Sequence, residues 1–330
     1  MKTFITNDDS VFQSLLPIFA TREYLSLQSK EFGWFVNDDF AMPWYITTKF
    51  GFRSLRITAS PVLLGRTHSL DDEQCFLDAA CRLSEKELRV DRITQPQNNA
   101  LFQAVPDDCV FAPFGTLFVP LKQRDSVDLF AGIHSKHRNV IRKAERDGVN
   151  VVTDDVDVGA CIDLFCETMA RQHMSSPSVA YFESLLDTLD GQVLLASAIR
   201  DDVLQGCALI PWNHHGAYYF WGGSIERPYG GSLNLLHWRI MEFMREQGVD
   251  KYDFVGARLR PEPGSKPESI QRFKERFGAT FMPGYLWKRD CKPWRIRALT
   301  TALSAKALLS GRRVVPDLID QERLRLRVGS

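Results

Sequence analysis

In the first third of the chain, the alternation of apolar and polar residues predicts short antiparallel strands beside one amphipathic helix. Within "LDDEQCFLDAACRLSEKEL", Phe76, Ala79, Ala80 and Leu83 recur at the i, i+3, i+4, i+7 spacing of a helix face. Runs rich in aromatic and β-branched residues, bounded by turn residues, are typical of strands. These runs are "WFVND", "WYITTKF", "LRITA", "VDRITQ" and "GTLFVPL".

A second amphipathic helix is predicted from Asp125 to Gly148. Asp125 is a good N-cap, and glycine commonly follows a helix C-terminus. His137 lies at the centre of the apolar face and is predicted to be a hydrogen-bonded core residue. The other side carries five Lys and Arg residues, so it is either an ordinary solvated face or a surface that binds a polyanion. The apolar face consists of Phe130, Ile133, His137, Val140, Ile141 and Ala144.

Further along the chain, helices and strands alternate. Three strands and a helix over 232–247 are followed by the strand "KYDFVGA", the helix "ESIQRFKERFG" and the strand "TFMPGYLWKR". The three strands are "QVLLASAIRD", "VLQGCALIPWN" and "GAYYFWGGS". This order predicts an α+β fold with one domain at 1–124, a second at 125–290 and a basic helical tail at 291–330.

Composition narrows the classes of function. The formal net charge of the 330 residues is zero, so no general attraction to DNA is indicated. The seven cysteines form no CxxC pair, which predicts reduced thiols and no metal site. No signal peptide and no apolar run of about 18 residues occur, so a cytoplasmic protein is expected. Residues 292–330 hold nine Lys and Arg against three Asp and Glu. A helix there either packs on the protein, the favoured interpretation, or lies on the inner face of an anionic membrane.

A glycine-rich turn between a predicted strand and a predicted helix forms a candidate anion site. Free backbone N–H groups and the helix dipole favour negative charge at such a place. Arg227, Gly230, Gly231 and Ser232 in "RPYGGS" resemble the R-x-x-G-x-G/A loop with which GNAT acyltransferases hold the pyrophosphate of coenzyme A. Serine replaces the last small residue of that pattern, and the alternative is a plain turn without a ligand.

Three segments in order carry a wider resemblance. "KHRNVIRKAERDGVNV", "YDFVG" and "SIQRFKERFGATF" together resemble the Fem-type (FemAB-like) peptidyltransferases and their GNAT-like acyltransferase relatives in bacterial polysaccharide gene clusters. The resemblance spans roughly residues 125–289 and extends more loosely to the N-terminal half. It implies two tandem GNAT-like domains with mixed, mostly antiparallel sheets flanked by helices.

The same resemblance implies transfer of an acyl or aminoacyl group to an amine. The donor would be acyl-CoA, an acyl carrier protein or aminoacyl-tRNA, with no tightly bound cofactor, and the acceptor would be a glycan precursor. Family members that use aminoacyl-tRNA carry a helical-hairpin arm in the second domain. This sequence has no long charged coiled-coil pattern there, which departs from the tRNA-dependent pattern.

Candidate site residues follow from the residues and from the resemblance together. Lys274, next to Phe273, matches the FK lysine that is thought to stabilise an oxyanion or a phosphate in the family; the alternative is a surface lysine. Asp253, in an apolar strand, is either a general base or a capping residue. Of Tyr218 and Tyr219, one is expected to face the donor and to protonate a leaving thiolate or position the acceptor. We assign Tyr219 to catalysis and Tyr218 to substrate binding. Arg138 and Arg142 are expected to bind phosphate groups.

Three functions remain open at this level. The first is acyl transfer from a thioester to an amino group of a cell-surface polysaccharide or cell-wall precursor. The second is aminoacyl-tRNA-dependent addition of an amino acid to a peptidoglycan-type precursor. The third is non-catalytic binding of anionic glycolipids through the basic helix and tail. No Ser/His/Asp spacing or nucleophilic cysteine signature occurs, so direct transfer without a covalent enzyme intermediate is expected.

Overall fold

The computed structural model describes residues 2–65, 68–122, 124–172, 174–309 and 316–328. The chain forms two compact units, one of Met1–Gly115 with Pro283–Ser330 and the other of Thr116–Met282. The boundaries inferred from sequence at 124/125 and 290/291 stay predictions of domain limits.

The first unit is a mostly antiparallel sheet with helices. Its strands are β1 (Phe4–Thr6), β2 (Phe32–Val36), β3 (Phe40–Lys49), β4 (Phe52–Ile57), β5 (Val62–Leu63), β6 (Arg92–Ile93) and parts of β7 (Val110–Pro120) and β14 (Thr280–Asp290). Its helices are α1 (Arg22–Gln28), α2 (Leu70–Lys86), α9 (Pro293–Leu309) and α10 (Leu318–Val328). The strand order is β1-β2-β3-β4-β6-β14, and β4 and β6 run parallel. The strands predicted in this part and helix α2 are therefore confirmed.

The second unit contains six helices and the sheet order β7-β13-β11-β10-β9-β8 among the described residues. Only the β11–β13 pair in this series is parallel. The strands are β8 (Asn150–Val152), β9 (Val193–Arg200), β10 (Val203–Asn213), β11 (Gly216–Tyr218), β12 (Trp221–Ser224) and β13 (Lys251–Asp253). The helices are α3 (Ser126–Gly132), α4 (Ser135–Arg146), α5 (Val158–Arg171), α6 (Val179–Thr188), α7 (Ser232–Glu246) and α8 (Lys266–Glu275).

The single helix predicted from Asp125 is in fact two helices. Asp125 caps α3 as expected, accepting from Asp128 N at 2.8 Å. The chain leaves the helical conformation at Ile133, and the ring nitrogen Nδ1 of His134 caps α4 by accepting from Lys136 N at 3.2 Å. His134 thus starts a new helix. The apolar periodicity continues across the break, so the break cannot be seen in the sequence. Gly148 follows α4 at φ +82°, as predicted for a residue that ends a helix.

The start of the basic tail packs on the first unit. Ile296 of α9 and Ile319 of α10 are buried. The buried carboxylate of Asp91 pairs with Arg295 at 2.7 Å and with Lys292 at 3.3 Å. These contacts favour the interpretation in which the helix packs on the protein. Residues 310–315 and 329–330 of the tail lie outside the described residues. Where the chain is described, none of its helices has the length and apolar character that a membrane span requires.

Candidate functional site

Two neighbouring strands of the second unit part from each other at one point. The predicted strand "GAYYFWGGS" is two strands, β11 and β12, which both pair with β10. β11 also runs parallel to β13 as far as the pair Tyr218–Asp253, and Tyr219 N then donates to Asp253 O at 2.8 Å. In the described part of the chain β12 pairs with β10 alone. We call the gap between β12 and residues 254–257 the strand opening.

The far side of the strand opening is formed by a left-handed turn. The predicted strand "KYDFVGA" ends at Asp253, because Val255 and Gly256 have φ values of +50° and +74°. Glycine adopts this conformation freely, whereas for a β-branched residue it is a strained outlier that costs about 1–3 kcal/mol. The backbone therefore turns away from β12 at a position where an extended backbone would continue β13.

Lys274 and Asp253 hold this turn from two sides. Lys274 Nζ donates to Val255 O and to Gly256 O, each at 2.8 Å. Asp253 Oδ1 accepts from Val255 N at 2.9 Å and from the Thr116 hydroxyl. Lys274 is 8% exposed, so it is not the surface lysine of the alternative interpretation. Asp253 is 2% exposed, and the bond that it accepts from Val255 N is the capping contact of its alternative interpretation. The two sequence segments "YDFVG" and "FK" thus meet in one turn.

The buried position of Lys274 changes its affinity for protons. Burial lowers the pKa of Lys274 from 10.5 to about 8, although the Asp253 carboxylate opposes this shift. Between those two values the folded protein has released a proton that the unfolded chain still holds. Because the unfolded chain then binds more protons, this group makes the free energy of unfolding rise with pH in that window.

A comparison of the wild type with Lys274→Met measures this contribution. We expect the wild-type free energy of unfolding, minus that of the variant, to grow between about pH 8 and 10 in urea denaturation. The subtraction removes the contributions of other titrating groups. A difference that stays constant or falls across this range would contradict a lowered pKa of Lys274.

The two adjacent tyrosines occupy different environments. Tyr219 lies where the strands part, and its ring packs edge-on against the His237 ring, with centroids 4.6 Å apart. A Cβ atom added at Gly222 would overlap the Tyr219 hydroxyl, so this glycine makes room for it. Burial raises the pKa of Tyr219 to about 12, which keeps the hydroxyl protonated near neutral pH. Tyr218 is buried beside Lys251, with Nζ 5.9 Å from the ring centroid, a packing position.

His237 also lies in this region, although it was not predicted from the sequence. This residue of α7 is 3% exposed, and its Nδ1 is hydrogen-bonded to the Tyr252 hydroxyl at 2.9 Å. Burial, assisted by the Lys274 charge, lowers the pKa of His237 to about 3, so the ring is neutral. Its ring also contacts Phe254, Phe273 and Phe277. The available signal was a histidine four residues after Leu233 on the apolar stripe of the predicted helix.

Phe273 and His137 belong to the same aromatic cluster. The His137 ring lies 5.2 Å from the Phe273 ring and 4.8 Å from the Phe277 ring. His137 is buried as predicted, but its Nδ1 has no hydrogen-bond partner among the described residues, so the expectation of a hydrogen-bonded histidine was wrong at that atom. Burial lowers the pKa of His137 to about 4, and the ring remains neutral.

The glycine-rich turn connects β12 with α7 and is held from several directions. Tyr229 N donates to Gln205 Oε1 at 2.8 Å, and the Tyr229 hydroxyl donates to Asp147 Oδ2. The Arg200 guanidinium lies 3.9 Å from the centroid of the Tyr229 ring. Gly231 has φ +95° and passes so close to α4 that a Cβ atom would lie 2.5 Å from Val140 O.

The N-terminus of α7 is open to an anion. Its N-cap is Gly231, so no side chain caps the helix. The first N–H groups of a helix lack intrahelical acceptors. The Ser232 hydroxyl is fully buried without a hydrogen-bond partner in the described structure. Arg227 and Gly230 are exposed in the turn. Ser232 N already donates to Tyr229 O at 3.0 Å, so the next N–H groups of the first turn are the donors that an anion could use. Binding of a pyrophosphate here stays a prediction.

The two arginines of α4 that are predicted to bind phosphate, Arg138 and Arg142, have different environments. Arg138 Nη1 donates to Ala131 O at 2.7 Å and to Ile133 O at 2.5 Å, which caps the C-terminal end of α3. Arg142 is exposed, and its guanidinium lies 5.1 Å from the Phe130 ring centroid. The structure therefore gives Arg138 a structural contact and leaves Arg142 accessible. Binding of phosphate by either residue stays a prediction.

Among the predicted residues, the fold gathers Lys274, Asp253 and Tyr219 around the strand opening, with Phe273 in the adjoining cluster. Arg227, Gly230, Gly231 and Ser232 form the start of α7. Thr116 and Val255 join the site without having been predicted. In the described ranges no group of three or more His, Cys, Asp or Glu residues has the arrangement of a metal site, and all seven cysteines are free thiols.

Comparisons with known proteins bear on the fold of the chain. Residues 133–274 match the family model described as an acetyltransferase (GNAT) domain. None of the curated proteins compared with the chain matches it. Three solved structures share the fold, which confirms the predicted fold class of tandem GNAT-like units.

The first of these structures is FemX, with a TM-score of 0.64 at 14% identity, covering 87% of this chain and 97% of FemX. The second is a tandem GNAT protein from the clavulanic acid biosynthesis pathway, with a TM-score of 0.51 at 13% identity and coverage of 88% and 98%. The third is the C-terminal domain of a putative lysylphosphatidylglycerol synthetase from Agrobacterium fabrum, with a TM-score of 0.50 at 15% identity and coverage of 83% and 89%.

Proposed function

We propose that this GNAT-type transferase moves an acyl group from a thioester donor, acyl-CoA or an acyl carrier protein, to an amino group of a cell-surface polysaccharide or cell-wall precursor. The observation that carries the proposal is the combination of a strand opening with an uncapped helix start. The opening ends at Tyr219, and the chain returns from β12 to the start of α7 within one turn. An extended donor with a phosphate group at one end fits these two features.

In this proposal the turn binds the donor. The N–H groups that follow Ser232 in the first turn of α7 donate to the phosphate oxygens, and Arg227 adds a positive charge. The thioester then lies in the strand opening next to Tyr219. The clamped turn at Val255 and Gly256 forms the opposite wall.

The acceptor amine attacks the thioester carbonyl, and the carbon–sulfur bond breaks. The Tyr219 hydroxyl is protonated at neutral pH and donates its proton to the departing thiolate. When the products leave, Tyr219 takes up a proton from solvent and Asp253 releases one. Asp253 takes the proton of the amine through Oδ2, which lies 3.8 Å from Lys251 Nζ. Lys274 supplies a buried positive charge beside the turn, and the exposed Arg142 binds a phosphate of the acceptor.

Two other functions are alternatives to this proposal. The sequence resemblance to the Fem-type peptidyltransferases keeps aminoacyl-tRNA open as the donor for an equivalent transfer to a peptidoglycan-type precursor. Non-catalytic binding of anionic glycolipids is the remaining alternative, and the match of residues 133–274 to an acetyltransferase domain weighs against it.

Thermal unfolding in the presence of candidate donors tests the proposal. At 100 times its dissociation constant, a ligand that binds only the folded state adds about 2.7 kcal/mol of stability. We expect CoA to raise the melting temperature by several degrees, and pantetheine, which lacks the pyrophosphate, to have a smaller effect. Protection by charged tRNA but not by CoA would establish the second function instead.

A matched pair of arginine variants locates the binding. Arg227→Gln should reduce the protection by CoA, because it removes a charge from the turn at the start of α7. Arg272→Gln removes a charge from α8, where Arg272 pairs with Glu268 at 2.7 Å, and should leave the protection unchanged. Equal protection of both variants would place the donor elsewhere.

A further inference from the structure

The turn at Val255 and Gly256 combines an unfavourable backbone with buried polar groups. Two consecutive residues are left-handed, and the first is β-branched. Nothing in the preference of valine produces this conformation, so the surrounding contacts must impose it. The turn also forms one wall of the strand opening, where a relaxed backbone would extend β13 along β11 and β12.

The contacts that impose the turn come from three side chains. Consecutive left-handed residues point their carbonyls in the same direction, and one ammonium group, Lys274 Nζ, reaches both at 2.8 Å. On the other side, Asp253 Oδ1 accepts from Val255 N at 2.9 Å. The Thr116 hydroxyl donates to the same carboxylate oxygen and fixes its orientation.

Burial makes these contacts obligatory. Lys274 is 8% exposed, so its ammonium group depends on protein acceptors, and two of its three donors are used by the turn. Without Lys274 the carbonyls of Val255 and Gly256 lose their donor. The backbone would then relax towards the extended conformation and narrow the strand opening.

We propose that Lys274 and Thr116 are positioning residues that act together with Oδ1 of Asp253, whose Oδ2 stays free for the amine. They keep Val255 and Gly256 left-handed and thereby hold the strand opening apart for the donor. Lys274 then affects transfer through the backbone of the turn and does not touch the reacting atoms. The activity readout of this inference rests on the proposed function.

Glycine at position 255 gives the decisive experiment, because glycine adopts a positive φ without strain. Lys274→Met should lower kcat/KM by about 100-fold, mainly through the KM for the donor, as expected for a misplaced wall. Val255→Gly alone is the reference for the double variant, since it removes the strain at position 255 and leaves Lys274 in place. The double variant should recover about tenfold of the lost kcat/KM, a coupling that residues in contact can show.

A direct role of Lys274 at the reacting atoms gives the opposite result. No change at position 255 can replace a missing charge, so the double variant would remain as inactive as Lys274→Met, and the inference would be overturned. Thr116→Val is a second variant that tests the same proposal while Lys274 stays in place. Thr116→Val should lower kcat/KM by less than Lys274→Met does, and addition of Val255→Gly should restore it. A loss of kcat/KM that Val255→Gly does not restore would contradict the proposal that these side chains hold the turn.

Hydrogen exchange separates this inference from the proposed function. In Lys274→Met, the backbone amides of residues 255–257 should exchange faster, and addition of Val255→Gly should slow them again. Lys251→Met removes another lysine near Asp253 that does not contact the two carbonyls, so it should not accelerate these amides. The measurement needs no donor and holds if the donor is not a thioester. Unchanged hydrogen exchange of these amides in Lys274→Met would refute the proposal that Lys274 holds the turn.

Discussion

Replacement of Tyr219 with phenylalanine is expected to lower kcat by about 100-fold, the lower end of the range for general acid catalysis. Tyr219 lies at the strand opening, and burial raises its pKa to about 12, so the hydroxyl carries a proton at neutral pH. The ring contact with His237 does not need the hydroxyl, so the variant should fold normally. Steady-state kinetics with saturating donor and acceptor measure the effect.

Tyr218→Phe is the matched control for this experiment. It also removes one buried hydroxyl, from the residue immediately before Tyr219, but on a ring that packs beside Lys251. Its kcat should fall much less. A Tyr219→Phe variant with nearly wild-type kcat, or equal losses in both variants, would exclude Tyr219 as the proton donor.

Gly231→Ala is expected to lower the free energy of unfolding by about 3 kcal/mol. A left-handed alanine costs about 1–2 kcal/mol, and displacement of packed backbone adds a similar amount. The displacement follows because the new Cβ atom would lie 2.5 Å from Val140 O of α4. Urea denaturation measures the loss, and CoA binding should weaken because the start of α7 moves.

Gly230→Ala is the control one residue earlier. No atom lies within 4 Å of a Cβ atom built at Gly230, and this glycine is not among those with a positive φ. Its stability should be unchanged or slightly increased, as for glycine replaced in an unstrained conformation. If both variants were equally destabilised, the close approach of α4 and the turn would be wrong.

Local residue patterns predicted most of the regular elements. Apolar spacing located α2 and α7 because each buries one face, and the same spacing places His237 on a buried face without revealing its partner. It also located α8, although the buried residue of that helix is Lys274. It failed at Ile133, where one helix becomes two while the apolar stripe continues. It also failed after Asp253, since valine in "DFVG" favours a strand and the observed turn opposes that preference.

The candidate site was also predicted only in part from the sequence. The segment "YDFVG" and the lysine of "RFKERF" marked Asp253 and Lys274 as polar residues in apolar surroundings, and glycine with serine marked the start of α7. Those residues are chemically conspicuous in the chain. Thr116 was not, because a threonine in a strand is ordinary until its partner is known.

Residues a few positions apart are enough to predict the order of helices and strands, the exposed basic side of α4 and the glycine turn. The folded chain was needed to show that the strands part at Tyr219, that Val255 is left-handed and that Lys274 Nζ donates to two carbonyls. These features depend on contacts such as Thr116 with Asp253, which are 137 residues apart. A local preference cannot encode a strained turn; packing from distant segments has to supply the free energy that holds it.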